Sequence, residues 1–266
     1  MITRLRSSAL LFSLLFLVEL NGQAVEKQAI QPSVKYFYHF PSRVNSVITN
    51  SIVSVESYIV SVRADGAVVE NNQSGTGFVV RKNWVMTSYH VLATEPSQLS
   101  DISLAVRVYD GHSFFPAKVI AIDFDDDLVI LEVTETDLNN PKIIQHFNKT
   151  PVTFATKNDI RRMPRNFYTF RRFPGQGVYS PLRLGEYLAE SNYVNRTSMP
   201  VIYGQIQGQS EHGFSGGPLI GPSGRVYGIP AITTEAFTYV VILNNVTNFL
   251  AKTEKFFADE KKKSKK

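Results

Sequence analysis

Three short stretches of the chain carry residue types that could together cleave an acyl bond. In Gly213-Phe214-Ser215-Gly216-Gly217-Pro218 a serine stands among glycines, immediately before an apolar strand. Glycines there let the backbone approach a substrate carbonyl and turn N–H groups toward it, which stabilising an oxyanion requires. A serine hydroxyl needs a base, and Trp84-Val85-Met86-Thr87-Ser88-Tyr89-His90 ends a strand in a histidine. An imidazole base needs an orienting acceptor, and Asp125-Asp126-Asp127-Leu128-Val129-Ile130-Leu131 puts carboxylates at the start of an apolar strand. Asp127 directly abuts Leu128, and Asp125 and Asp126 compete with it for the acid's role. The serine run also matches the Gly-x-Ser-x-Gly elbow of α/β-hydrolases, whose acid and histidine follow the serine along the chain. No histidine follows Ser215, and strands surround it, so that reading fails.

The opposite order fits. His90, Asp127 and Ser215 occur in that sequence, 37 and 88 residues apart, which lets His and Asp share one β unit and Ser belong to another. The texture around them is of short strands separated by turn chemistry. Phe78–Val80 and Trp84–Thr87 flank Arg81-Lys82-Asn83, read as a three-residue hairpin turn. Leu104–Tyr109 and Phe114–Ile122 flank Asp110-Gly111-His112, and Leu128–Val133 is an apolar β-branched run. Pro218–Ile220 and Val226–Ile229 flank Gly221-Pro222-Ser223-Gly224, with one more strand at Tyr239–Leu243. Such spacing argues for sandwiches or barrels. Helical periodicity is clear only at the end, where Asn244 or Asn245 is placed to cap a helix. Val246, Phe249, Leu250, Thr253, Phe256 and Phe257 would share one of its faces. The polar stretch from Val133 to Pro151 reads as the seam between two β units.

Composition bounds the rest. With 266 residues, 43% hydrophobic and 19% charged, the chain can bury a sizeable core. The absence of cysteine excludes disulfides, thiolate metal sites and a cysteine nucleophile. The formal charge of +5 lies wholly in the two ends, since residues 25–259 carry 21 basic and 21 acidic side chains. No nucleic-acid partner is therefore expected, because a binding fold clusters its basic groups on the folded surface. Lys261, Lys262, Lys263, Lys265 and Lys266 read as a solvated tail able to make weak contact with anionic surfaces. Arg4 and Arg6, the apolar run Ala9–Val18 and Gly22-Gln23-Ala24 have the layout of a signal peptide cleaved after Ala24. A run of ten residues spans about 15 Å as a helix, half of a ~30 Å hydrocarbon core. Export to a bacterial periplasm or the extracellular space is expected.

These motifs together resemble the trypsin-like serine proteases, most of all the high-temperature-requirement (HtrA, DegP) type. Gly75-Thr76-Gly77-Phe78-Val79-Val80 with Trp84–Leu92 resembles the strand pair leading to that family's histidine. Asp110-Gly111 through Ala117-Lys118-Val119 to Asp123, then Asp127–Val133, is similar to its aspartate segment. Gly213–Leu219 with Gly224-Arg225-Val226-Tyr227-Gly228-Ile229 resembles its nucleophile loop and following hairpin. The resemblance covers about residues 50–250. It implies an all-β fold of two six-stranded antiparallel barrels, about 50–135 and 150–243, with a C-terminal helix at about 244–258. A signal peptide (1–24), an extension (25–49) and a Lys-rich tail (259–266) complete the expected organisation.

Carried over residue by residue, the resemblance implies Ser215 as nucleophile, His90 as general base and Asp127 as the acid that orients it. The N–H groups of Gly213 and Ser215 would form the oxyanion hole, and no cofactor or metal is implied. The residue six before the nucleophile, here Gln209, would lie at the base of the P1 pocket. Ala231, Ile232 and Thr233 would line one wall, giving an uncharged pocket suited to a small or medium aliphatic side chain of a protein or peptide substrate. Two positions depart from the pattern. Phe214 stands where the HtrA type usually has Asn and trypsins Asp, and His212 stands where proline is common. No PDZ domain is expected after the helix. A catalytically silent relative that binds a partner through the cleft is the alternative.

Overall fold

The computed structural model describes residues 40–63, 65–92, 99–135, 146–172, 179–194 and 200–264. The expected signal peptide, the last two lysines and residues 173–178 lie outside the described residues. Helix α1 (Ser42–Ser51) runs directly into strand β1 (Ile52–Arg63). Then follow β2 (Val68–Arg81), β3 (Trp84–Ser88), a 3-10 turn at Tyr89–Val91, β4 (Leu99–Tyr109), β5 (Phe114–Asp123) and β6 (Leu128–Val133). These six antiparallel strands close into a barrel in the order β1-β2-β3-β6-β5-β4. After the short helix α2 (Lys157–Arg161) come β7 (Phe167–Arg172), β8 (Tyr179–Leu184), β9 (Tyr187–Val194) and β10 (Pro200–Gln207). Strands β11 (Leu219–Ile220), β12 (Val226–Thr233) and β13 (Phe237–Ile242) and helix α3 (Leu243–Lys263) follow.

The second β unit is a seven-stranded sheet ordered β8-β7-β11-β12-β13-β10-β9, where six strands were expected. Its edge strands β8 and β9 are consecutive in the chain, with only Gly185 and Glu186 between them. The end of β10 meets that link. Gly185 N–H donates to the Gln207 carbonyl at 2.7 Å, and Gln207 N–H donates to the Glu186 carbonyl at 3.0 Å.

Apolar residues on successive positions of β2, β3 and β6 have two destinations, as a period of two requires when both faces are covered. Val79, Val85, Val129 and Leu131 point into the barrel interior. Phe78, Val80, Met86, Leu128 and Ile130 point outward into a second core, which they share with α1, β10, β12, β13 and α3. The barrel and the sheet are thus joined by one hydrophobic layer. The sheet's own inner cluster is Phe167, Leu184, Ile206, Leu219, Tyr227 and Val240.

Several details differ from the sequence reading. Arg81 pairs with Trp84, so the β2–β3 turn is the two residues Lys82-Asn83, with Asn83 left-handed at φ 61°. Within the expected extension, residues 42–49 belong to α1, whose Val44 and Ile48 are buried in the shared core. No asparagine caps α3. Its N-cap is Ile242, and Asn245 lies inside the first turn. The helix continues through Lys263, into the segment expected as a tail, where lysines complement the negative end of the helix dipole. Lys263 pairs with Glu260 at 2.8 Å there. Of the two residues expected to share the packed face, Phe257 lies against Trp84, with ring centroids 5.5 Å apart, whereas Phe256 is 60% exposed.

The register of α3 is therefore directly testable. Phe249→Ala empties a site that is 6% exposed and should cost about 3–5 kcal/mol in chemical denaturation. Phe256→Ala should shift stability by no more than about 0.5 kcal/mol. Equal effects would show that the helix is docked in another register.

Candidate functional site

In the β3–β6 pair, Ser88 stands opposite Leu128. The residues just beyond those two ends, Tyr89-His90 on one side and Asp127 on the other, are therefore brought face to face. Asp127 has a left-handed backbone at φ 55°, a conformation that Asp tolerates better than most L-residues. Its carbonyl accepts the Tyr89 N–H at 2.9 Å. Its Oδ1 accepts the His90 backbone N–H at 2.9 Å, and its Oδ2 lies 2.5 Å from His90 Nδ1. A carboxylate at Nδ1 selects the tautomer with its proton there and leaves Nε2 with a lone pair. The two side chains are 14% and 15% exposed, so the pair is reachable but largely shielded.

The neighbouring acids differ in environment. Asp126 turns toward α3, where Asn245 Nδ2 donates to its Oδ1 at 2.8 Å. Burial pushes the Asp126 carboxyl above its ordinary value, the Asn245 hydrogen bond opposes that shift, and the charges of Asp123 and Asp125 reinforce it. Asp126 N–H also donates to Asp123 Oδ1 at 3.2 Å. The ring of Phe124 packs edge-on to Tyr89 with centroids 4.8 Å apart, adding an apolar tie between the acid loop and the histidine turn.

Ser215 lies in the loop between β10 and β11, and the carbonyls of residues 212–215 each have a donor. Arg171 donates to the His212 carbonyl at 3.1 Å. Thr76 Oγ1 donates to the Gly213 carbonyl at 2.7 Å, Gly217 N–H to the Phe214 carbonyl at 3.0 Å, and Thr76 N–H to the Ser215 carbonyl at 3.0 Å. Because a peptide unit is planar and trans, a fixed carbonyl directs the next N–H the opposite way. The His212 and Phe214 carbonyls thus set the directions of the Gly213 and Ser215 N–H groups. Gly216 is left-handed at φ 77°, and a Cβ there would come within 2.0 Å of Thr87 Oγ1 and 2.5 Å of the Thr76 carbonyl. Only glycine fits.

Gly75 shows that the histidine turn and the serine loop converge. A Cβ on Gly75 would meet the Val91 side chain at 2.5 Å and the Ser215 carbonyl at 3.0 Å. Phe214 is 2% exposed, and the Arg171 guanidinium stands 5.4 Å from its ring centroid. Arg171 also pairs with Glu211 at 3.4 Å. His212 is exposed.

The proposed pocket residues are spread along two segments. Gln209 is exposed, Ala231 and Ile232 are half-buried, and Thr233 is exposed at the end of β12. The buried polar residue beside them is Ser210. Its N–H donates to Thr238 Oγ1 at 2.9 Å, and its hydroxyl bonds to Thr233 Oγ1. Sequence reasoning passed over Ser210, Thr238 and Arg171, read Asn245 only as a helix cap, and gave Thr76 no role of its own. Thr76 alone carried a signal, a hydroxyl between two glycines in an apolar strand.

A family model for the trypsin-like peptidase domain matches residues 75–229. The chain is 28% identical over 232 residues to serine protease Rv3671c of Mycobacterium tuberculosis, covering 80% of this chain and 49% of that protein. It is 25% identical over 233 residues to serine protease HTRA1A of Danio rerio, covering 83% and 43% respectively. The chain thus spans about half the length of the curated relatives it matches. The crystal structure of the Rv3671c protease in its active form superposes with a TM-score of 0.56 at 26% identity, over 80% of this chain and 84% of that one.

Removing the α3 contact should be visible at Asp126. Asn245→Ala deletes the hydrogen bond that holds its carboxyl down, so carbon-13 titration should find the Asp126 pKa higher still. An unchanged or lower value would mean that the amide does not stabilise the carboxylate.

Proposed function

The chain belongs to the trypsin-like peptidase domain family, and on that premise we propose that it is a serine endopeptidase working through His90, Asp127 and Ser215. The carrying observation is the double contact of Asp127 with His90, one carboxylate oxygen on the backbone N–H and the other at Nδ1. That arrangement leaves Nε2 as the nitrogen that accepts the Ser215 proton while Oγ attacks the scissile carbonyl. The electron pair of the C=O bond moves onto oxygen, giving a tetrahedral oxyanion beside the Gly213 and Ser215 N–H groups. As the oxyanion collapses, the C–N bond breaks and His90 returns its proton to the leaving amine. Water then repeats the sequence on the acyl-enzyme and regenerates Ser215. Asp127 stabilises the imidazolium at both stages without taking its proton.

Two-barrel architecture is part of this reading. Taken as one strand bent at Gly185-Glu186, β8 and β9 reduce the second sheet to six strands whose edges meet. Proteins and peptides are the substrates this chemistry serves. A P1 pocket with Gln209 at its base and Ala231, Ile232 and Thr233 along a wall favours a small or medium aliphatic residue, since no charge is present there to pair with an ionic side chain. Export with cleavage after Ala24 completes the proposal, supported by the basic, apolar and small-residue layout of the first 24 residues.

A fluorescent fluorophosphonate should label the wild-type protein and fail to label Ser215→Ala, whose thermal midpoint should stay within a few degrees because only one oxygen atom is lost. Labelling of the Ser215→Ala protein would refute the nucleophile. Asp127→Asn should lower kcat by about 10⁴-fold by favouring the wrong histidine tautomer.

The pH profile tests the base independently. An imidazolium cannot accept the Ser215 proton, so kcat/KM should fall progressively on acidification. A flat profile from pH 8 down to pH 5 would exclude a histidine base.

A further inference from the structure

We propose that Thr76 is a positioning residue for the oxyanion-binding loop, acting from the first barrel on the nucleophile carried by the second sheet. The inference rests on the reading of Ser215 as nucleophile and adds to it the residue that holds its loop in reactive geometry. Thr76 lies on β2 and is 0% exposed, and among the described residues its hydrogen bonds go to neither His90 nor Asp127. All of its polar groups are engaged. Oγ1 donates to the Gly213 carbonyl at 2.7 Å and accepts the Arg172 N–H at 3.3 Å. Its N–H donates to the Ser215 carbonyl at 3.0 Å, and its carbonyl accepts the Thr87 hydroxyl at 2.7 Å. Its methyl group faces Gly217, where a Cβ would come within 3.1 Å of it.

The arrangement alternates. Thr76 holds peptide units 213–214 and 215–216, while the units that present the two oxyanion donors, 212–213 and 214–215, lie between and beside them. Gly213 is left-handed at φ 90° and has no side chain, so sterics alone do not fix the direction of its carbonyl. The Thr76 hydroxyl restrains it at 2.7 Å, and the N–H of the same peptide unit, that of Phe214, donates to the Glu211 carbonyl at a longer 3.3 Å. Without the Thr76 bond the 213–214 unit keeps only the longer Phe214–Glu211 tie and is freer to tilt, so the Gly213 and Ser215 N–H groups converge less well on one point. Arg172, the other partner of Oγ1, belongs to β7, so the same hydroxyl also ties the sheet's strand to the loop. An oxyanion forms only after attack. Loss of this restraint should therefore act on the transition state more than on substrate binding.

The test uses the full chain and compares wild type with Thr76→Val, which keeps shape and removes the hydroxyl, and Thr76→Ser, which keeps the hydroxyl. Thermal unfolding is recorded for each, and Thr76→Ala replaces the valine variant if that one does not fold. Thr76→Val should lower kcat on a fluorogenic peptide with an aliphatic P1 residue by roughly 10–100-fold, less than the 10²–10³-fold of deleting a donor outright. KM should stay within about twofold, since the loss is specific to the transition state. Affinity for a matched peptide boronate, which forms the tetrahedral adduct, should fall in parallel with kcat. Thr76→Ser should recover most of the rate. A folded Thr76→Val or Thr76→Ala protein with wild-type kcat and boronate affinity overturns the proposal, as does a loss confined to KM. Failure of the wild-type protein to react with a fluorophosphonate would instead overturn the underlying nucleophile assignment.

Discussion

Asp127 must hold a left-handed backbone, and the geometry of the proposed site depends on that one constraint. The β3–β6 register fixes which residues meet, but only the turn at φ 55° brings both the carbonyl and the carboxylate of Asp127 onto Tyr89-His90. Such a conformation costs on the order of 1–3 kcal/mol in a residue with a Cβ. Two backbone N–H donors and the imidazole offset it, as does the anchoring of Leu128, the next residue, which is 0% exposed. The strain persists because β6 is buried on both faces and cannot slip. A shift of one residue would move Leu128 and Ile130 out of the shared core and Val129 and Leu131 out of the barrel.

A chain without cysteine has to keep its two β units in register by packing and hydrogen bonds alone. The shared core does most of this, because the outward faces of β2, β3 and β6 are covered by β10, β12, β13 and both long helices. Polar ties add direction. Arg172 is 6% exposed and reaches from β7 to the carbonyls of Ile52 and Asp110, at 3.2 and 2.8 Å. Buried charge is tolerated there because the guanidinium finds acceptors, and those acceptors belong to the other β unit. The cleft residues thus inherit their relative placement from contacts made well behind them.

Much of this was legible in the sequence because the local signals and the tertiary demands agree. The run Leu128–Val133 reads as a strand and is one, and its unbroken apolarity follows from having a core on each side. The glycines around Ser215 likewise announce a loop that comes close to other backbone. The misreadings have a common cause, which is that propensity cannot see a tertiary partner. Asn245 has the chemistry of a cap, but it lies inside the first turn of α3, where its amide nitrogen donates to Asp126 instead. Phe256 follows the apolar periodicity of α3, yet it is 60% exposed, and its neighbour Phe257 is the one that packs on Trp84. The seven-strand count arises at Gly185-Glu186, where the chain passes from one sheet edge to the other with no pattern in the sequence to mark it.

Phe214 gives the loop a different kind of anchor from the carboxylate or amide that the resemblance led one to expect. Its ring is 2% exposed and lies under Arg171, whose guanidinium also holds the His212 carbonyl. Burying such a ring stabilises the loop by about 1.5–3 kcal/mol, a contribution that neither salt nor protonation removes. The Arg171–Glu211 pair adds little, because Glu211 is 66% exposed and surface pairs contribute roughly 0–1 kcal/mol. The ring needs only the apolar contacts beneath Arg171, which the folded chain already supplies. The loop's geometry is therefore a property of the fold itself, carried by packing on one side and by the donors to the carbonyls of residues 212–215 on the other.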